Sequence, residues 1–247
     1  MTTFIDTSLP MHLDTPANKD PDTYSRILHG YHRLLWTKKL PDGNHFRLVA
    51  SDDPPFYLRY KSPSGELLLS SDSIIHTYTR WKRESMASII RSIPKSENDA
   101  FYDLASTIGG YVIFPAKQID RQPTINGIRG MHPKIMDRFD LSLECIRRWY
   151  QGIENPLFEH IERYKDFFCL FGNFASYVSF FLLDDLIEDN AGTIRFWLPF
   201  DDFDKTPPLP DSLATYLEYR ENISDFVKGR NRRIEAYAKD HLGSGFP

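Results

Sequence analysis

Apolar positions change their spacing along the chain, and each change marks an element. In YSRILHGYHRLLW, Tyr24 to Trp36, the residues Ile27, Leu28, Tyr31, Leu34 and Leu35 fall on one side of a helix. PDG at 41–43 marks a turn. Three short runs follow, HFRLVA (45–50), FYLRY (56–60) and ELLLS (66–70), the last two joined by the hairpin-like KSPSG. Short strands with short connections predict an antiparallel sheet. Helical spacing returns with Ile75, Tyr78, Met86, Ile89, Ile90 and Ile93, with Lys82 as the one polar break. Ser71 or Asp72 is placed to cap that helix, and Pro94 to end it.

A helix over about 96–106 runs into Gly109-Gly110, and GYVIFP (110–115) reads as a buried strand. DLSLECIRRWY predicts a helix from Asp140 to Tyr150, with Asp140 as N-cap. Glu144 and Arg148 make an i,i+4 pair on it. LFEHIERYKDFFCLF and the apolar stretch up to Leu186 predict further helices, and TIRFWLPF (193–200) a strand. After PPLP, one long helix is expected from about Ser212 to Asp240. Residues 1–25, rich in Asp, Thr and Pro, read as an irregular surface arm, and 26–247 as one domain. The expected class is α+β: a small antiparallel sheet packed by several helices, with a long C-terminal helix.

Composition narrows this reading. At 247 residues the chain buries enough surface to fold without metals or disulfides. A formal net charge of −4 argues against a surface broadly adapted to nucleic acid or membrane. Aromatics at 14% imply an aromatic-rich core. Cys145 and Cys169, both among apolar residues, read as buried and reduced, which fits a cytoplasmic protein. The uncharged stretch from Phe167 to Leu183 is short for a membrane span and carries Gly172, Asn173, Ser176 and Ser179, so a buried helix and no membrane partner are expected.

The candidate chemistry concentrates between Arg121 and Arg148. TINGIRG, Thr124 to Gly130, reads as a glycine-bounded loop leading toward a helix start, a form that favours anions. Arg121, Asn126, Arg129 and Arg138 are the candidate binders of a nucleotide or other phosphate-bearing ligand, and Asp137, Asp140 and Glu144 the candidate acids and bases. The plainer reading makes the glycines turn formers and pairs the arginines with these acids. Arg230 interrupts the apolar stripe of the last helix and requires a partner, in the protein or in a ligand. Lys228, Arg232 and Arg233 around it read as a solvated basic face, or as the surface that meets a protein partner.

No GxGxxG, P-loop, GxSxG, HExxH or CxxC occurs, so no cofactor is assigned and no metal is expected. The acids at 184–185 and 201–202 read as helix-end or turn residues. SSDS and the many arginines fit an ADP-ribosyl-transfer type of fold only weakly, because an ExE acid pair is missing. Two functional expectations follow: an enzyme or toxin-like effector acting on a phosphate-bearing substrate, or a non-enzymatic interaction protein with structural arginines.

TINGIRG, DRFDLSLECIRRWY, YKDFFCLFGNFASYVSFFLLDDL and RNRRIEAY, with YHRLLWTKKLPDG and LLLSSDSI nearer the start, resemble a family of bacterial proteins of similar length. That family carries only a domain-of-unknown-function label. The resemblance implies a single-domain cytoplasmic protein and transfers no catalytic residue.

Overall fold

The computed structural model describes residues 5–50, 58–62, 65–79, 84–189 and 192–242. Its framework is an antiparallel sheet of β1 (Val49–Ala50), β2 (Leu58–Ser62), β3 (Gly65–Ser73) and β4 (Tyr111–Pro115), lying in sequence order. β2 and β3 pair from Ser62↔Gly65 to Leu58↔Leu69, and β3 continues against β4 from Leu69↔Pro115 to Ser73↔Tyr111. Around the sheet lie α1 (Met11–Asp14), α2 (Pro21–Tyr24), α3 (Arg26–Thr37), α4 (Ala87–Arg91), α5 (Lys95–Ala105) and α6 (Ile125–Met131). They are followed by α7 (Phe139–Tyr150), α8 (Phe158–Arg163), α9 (Lys165–Phe168), α10 (Phe174–Phe180) and α11 (Leu213–His241). The class is α+β, with one core.

Local chemistry starts the main helices. The Ser25 hydroxyl accepts the Leu28 N–H at the head of α3, and the helix then buries Ile27, Leu28, Tyr31, Leu34 and Leu35. Ser212 and Thr215 form a reciprocal capping box at the head of α11. That helix buries Tyr216, Tyr219, Ile223, Phe226, Val227 and Ile234 along one side. The aromatic content gathers where α10 meets the 46–48 segment. There Phe46, Phe171, Phe180 and Phe181 pack in tilted and edge-on pairs, with centroids 5.1 to 6.5 Å apart.

Several sequence expectations are corrected. Ser71 and Asp72 do not cap a helix, because β3 keeps its pairing with β4 as far as Ser73. Residues 74–79 then run irregularly, with Tyr78 left-handed at φ 58°, and α4 begins only at Ala87. The part of that predicted helix at 80–83 lies outside the described residues, as do 51–57 and 63–64 in the predicted strands and hairpin. TINGIRG is no loop: Thr124 accepts the Gly127 N–H and starts α6. Asp140 lies inside the first turn of α7, not at its cap, which is Arg138. The 193–200 segment is not a strand and keeps one isolated bridge, Ile187↔Ile194. Its Trp197 N–H donates instead to the Asp140 carboxylate at 2.9 Å. Residues 5–25 do not lie loosely on the surface: they form α1 and α2 and bury Ile5, Met11 and Asp22. Cys145 is buried, whereas Cys169 is exposed. Among the described residues, no helix is long and apolar enough to cross a membrane.

The stripe of α11 is broken by Arg230, which is wholly buried. Its Nη1 donates to the carbonyls of Gly109 (2.8 Å) and Tyr111 (2.6 Å). Nη2 donates to the Tyr31 hydroxyl and the Phe181 carbonyl, both at 2.9 Å, and Nε also reaches Phe181. Alongside it, Asn231 accepts the Gly109 N–H at 2.7 Å and donates to Thr107. A Cβ on Gly109 would sit 2.6 Å from Asn231 Oδ1, so only glycine allows this approach. Replacing Arg230 by Met strips four buried acceptors of their donor. We expect Arg230→Met to cost about 3–5 kcal/mol and to lower Tm by on the order of 10 °C in thermal unfolding. Arg230→Lys should recover only part of the loss, because an ammonium cannot span the same acceptors.

Candidate functional site

A polar pocket of about 270 Å³ opens where the end of β3, the segment after it, α5, β4 and α6 meet. Its lining includes His76, Tyr102, Tyr111, Asn126, Arg129 and Asp137. Strand alternation explains how β3 serves it. Ser71 and Asp72 point to opposite faces of the sheet. Ser71 Oγ meets His32 of α3 at 2.9 Å, and Asp72 Oδ1 accepts from Asn126 of α6 at 3.0 Å.

From Asp72 a chain of polar contacts runs into the pocket. Asn126 Oδ1 accepts the Nε–H of Arg129 at 2.9 Å. Arg129 Nη1 pairs with Asp137 Oδ1 at 2.8 Å, and its Nη2 donates to the Ser73 carbonyl at 2.5 Å. The other Asp137 oxygen, Oδ2, lies 3.8 Å from His76 Nε2. His76 Nδ1 accepts the Tyr78 N–H at 2.9 Å, so in the neutral ring Nε2 carries the proton. The backbone carbonyls of His76 and Thr77 accept from the hydroxyls of Tyr219 (2.8 Å) and Tyr216 (2.6 Å) of α11.

The backbone here is strained. Tyr78, Met136 and Asp137 have φ of 58°, 50° and 69°. Left-handed conformation is uncommon outside glycine and is an outlier for bulky residues. The Tyr78 hydroxyl donates to the Met136 carbonyl at 2.8 Å and ties the two strained segments together.

Burial pushes the Asp72 carboxyl up from its ordinary value to about 7, against the hydrogen bond from Ser70 and the charge of Arg129. Burial also raises the Tyr111 hydroxyl, with Tyr102, Asp72 and Asp22 adding to the effect. Asp22 is buried behind the strand and accepts the Ser71 N–H at 2.8 Å. His32 meets Asp22 (3.3 Å) and Ser71 (2.9 Å) through the same nitrogen, Nε2. A nucleophilic triad needs both ring nitrogens, one toward the serine and one toward the acid, so this cluster is not one.

Of the residues singled out in the sequence, Asn126, Arg129 and Asp137 come together in the pocket. The others lie apart. Arg138 and Asp140 form a fully buried fork, Nη2–Oδ2 2.5 Å and Nε–Oδ1 3.1 Å, with the Leu198 and Pro208 carbonyls completing the guanidinium. Glu144 is held by Arg147 and Arg148 at 2.7 Å each. Arg121 is exposed in a turn with φ 59°, and Arg230 sits in its carbonyl cage. His76, Tyr102 and Tyr111 were not singled out in the sequence as site residues, and Asp72 was read there only as a helix cap. An acid following LLLSS directly and preceding II was the one available signal for Asp72. Among the described residues, no cluster of three or more His, Cys, Asp or Glu side chains could hold a metal ion.

The raised Asp72 carboxyl has a measurable sign. Between about pH 4 and about pH 7 the folded chain holds a proton on Asp72 that the unfolded chain has released. The contribution of this group therefore falls as pH rises through that window. Asp72→Asn keeps an acceptor for Asn126 and removes the titration. Its Tm relative to wild type should rise progressively between about pH 4 and about pH 7 and level off above. A difference that stays flat across the range would show that Asp72 is ionised in the fold throughout.

Neither the curated proteins nor the solved structures provide a match to this chain. A family model does match, over residues 5–234, which takes in the whole sheet, the pocket and Arg230. The chain belongs to that family, described as a family of unknown function (DUF6994).

Proposed function

We propose that the protein is an enzyme that binds a small polar molecule in the pocket between His76, Tyr102, Tyr111 and Asp137 and transfers a proton on it. His76 and Asp137 are the acid–base pair. Arg129 and Asn126 position Asp137. The observation that carries this reading is the strained backbone: Tyr78, Met136 and Asp137, left-handed and tied together, set the imidazole and the carboxylate 3.8 Å apart in a polar pocket. Strain of this kind costs about 1–3 kcal/mol per residue and persists where the surroundings over-determine it, often at active sites.

The pocket also constrains the substrate. Arg129 is buried, its charge is offset by Asp137, and its nitrogens are engaged by Asn126, Asp137 and Ser73. Phosphate recognition through Arg121, Arg129 and Arg138 together finds no common site in this arrangement. A volume of about 270 Å³ fits a molecule of the size of a sugar or a nucleobase. Tyrosine hydroxyls, imidazole and carboxylate favour a compound that presents both donors and acceptors, such as a hydroxylated, amide or amine compound. Partner binding through α11 has less support, because that helix spends one side on the core.

The test begins with thermal unfolding against small sugars, amides, amines and nucleobases. A binder at about 100 times its Kd stabilises by about 2.7 kcal/mol, a shift of several degrees. For a compound found this way and turned over, Asp137→Asn and His76→Gln should each lower kcat by about 100-fold or more. Turnover within about twofold of wild type in both variants, with the fold intact by circular dichroism, would eliminate the pair as acid and base.

A further inference from the structure

A second pocket, of about 440 Å³, lies between α11 and residues 185–186 and 195–197, apart from the His76–Asp137 site. On α11 it is bordered by Asn222, Asp225, Phe226, Lys228, Gly229 and Arg232. Apart from Phe226, which is buried, these positions recur at helical spacing on the side away from Ile223, Val227, Arg230 and Ile234, which enter the core. The facing segment supplies Asp185, Arg195, Phe196 and Trp197. It is fixed there by the Arg195 N–H donating to the Leu186 carbonyl at 2.8 Å and by Asn222 Nδ2 donating to the Trp197 carbonyl at 2.8 Å.

The charges in this pocket are unbalanced. Asp185 is paired with Arg233, whose Nη2 and Nε lie 3.1 Å from its two oxygens, and Arg233 also lies 3.7 Å from Asp184. Gly229 lets that carboxylate close on the helix, since a Cβ there would stand 3.0 Å from Asp185 Oδ1. Arg195, Lys228 and Arg232 are exposed, and none forms an ion pair with a described residue. Against these three cations the lining sets two acids, Asp225 and the Arg233-paired Asp185. Beneath them lie Phe226, buried, and Phe196, half-buried. A cationic rim over an apolar floor matches a ligand with an oxyanion at one end and a flat, weakly polar ring at the other. The volume accommodates a molecule of mononucleotide size.

We propose that this second pocket binds a small phosphate ester of mononucleotide size. Arg195, Lys228 and Arg232 hold the phosphate, and the ring lies against Phe196 and the edge of Phe226. The proposal is independent of the proton-transfer reading, since the two pockets share no lining residue.

The experiment is calorimetric titration of the full chain at low salt with AMP, adenosine and inorganic phosphate as probes. AMP should bind, with adenosine and inorganic phosphate each weaker by about tenfold or more. The double variant Lys228→Glu and Arg232→Glu should weaken AMP by at least about tenfold, and Arg232→Lys by much less. Both positions are exposed, so the variants keep the fold. Asp137→Asn should leave AMP binding unchanged, which separates this site from the first pocket. The proposal is overturned if AMP fails to bind at about 10 mM, weaker than any affinity in the ordinary ligand range. It is equally overturned if charge reversal leaves AMP affinity unaltered, or if inorganic phosphate binds as tightly as AMP, which would leave only a bare anion patch.

Discussion

The guanidinium of Arg230 is buried among carbonyl oxygens and a tyrosine hydroxyl, and the architecture converges on it. A buried cation is tolerated when each N–H finds an acceptor and the surrounding dipoles offset the lost water. Here the acceptors come from the turn before β4, from β4 itself, from the end of α10 and from α3. One side chain of α11 thereby fixes four parts of the chain that are far apart in sequence. The pocket depends on this arrangement. Tyr111 gives its carbonyl to Arg230 and its side chain to the pocket lining, so the position of the ring follows from the position of the cage.

Two further buried arginines divide the remaining polar work. Arg138 is paired within two residues to Asp140, and that carboxylate also takes the Trp197 N–H. The fork thus anchors the 193–200 segment to the head of α7 and has no solvent-facing side. Arg129 differs because its partner, Asp137, keeps one oxygen directed toward His76. Three arginines that look equivalent in the sequence are therefore a cage, an anchor and a positioning group. What separates them is the exposure and orientation of the acceptors, a tertiary property.

The legible parts of the sequence were those governed by one element at a time. The stripes of α3 and α11 follow from residues within a few positions of each other. The antiparallel sheet followed from short apolar runs with short connections. The misread parts were decided by distant partners. Ile75, Tyr78 and Met86 keep helical spacing, yet Tyr78 is buried in left-handed backbone with its hydroxyl on Met136. TIRFWLPF has the composition of a strand, yet its amide is claimed by Asp140. The glycines of TINGIRG sit in a helix that Thr124 caps, so their presence gave a loop signal that the cap overruled. Asn126, Arg129 and Asp137 could be singled out because polar groups cluster along that stretch. Their partners Asp72 and His76 lie more than fifty residues earlier, and no local pattern connects them.

The two pockets are built on opposite sides of one helix. Tyr216 and Tyr219 of α11 hold the carbonyls of Thr77 and His76, and so set the height of the imidazole in the first pocket. Trp197, which borders the second pocket, packs edge-on against Tyr219 with centroids 5.9 Å apart and also touches Phe226. A continuous run of packed rings thus leads from the floor of one pocket to the backbone support of the other. Packed cores respond to displacement as connected, weakly compressible solids. Trp197 thus packs on Tyr219, whose hydroxyl donates to the carbonyl of His76 at 2.8 Å. The physical route between the sites is short because α11 carries Tyr219, Phe226 and Arg230 on one rigid segment.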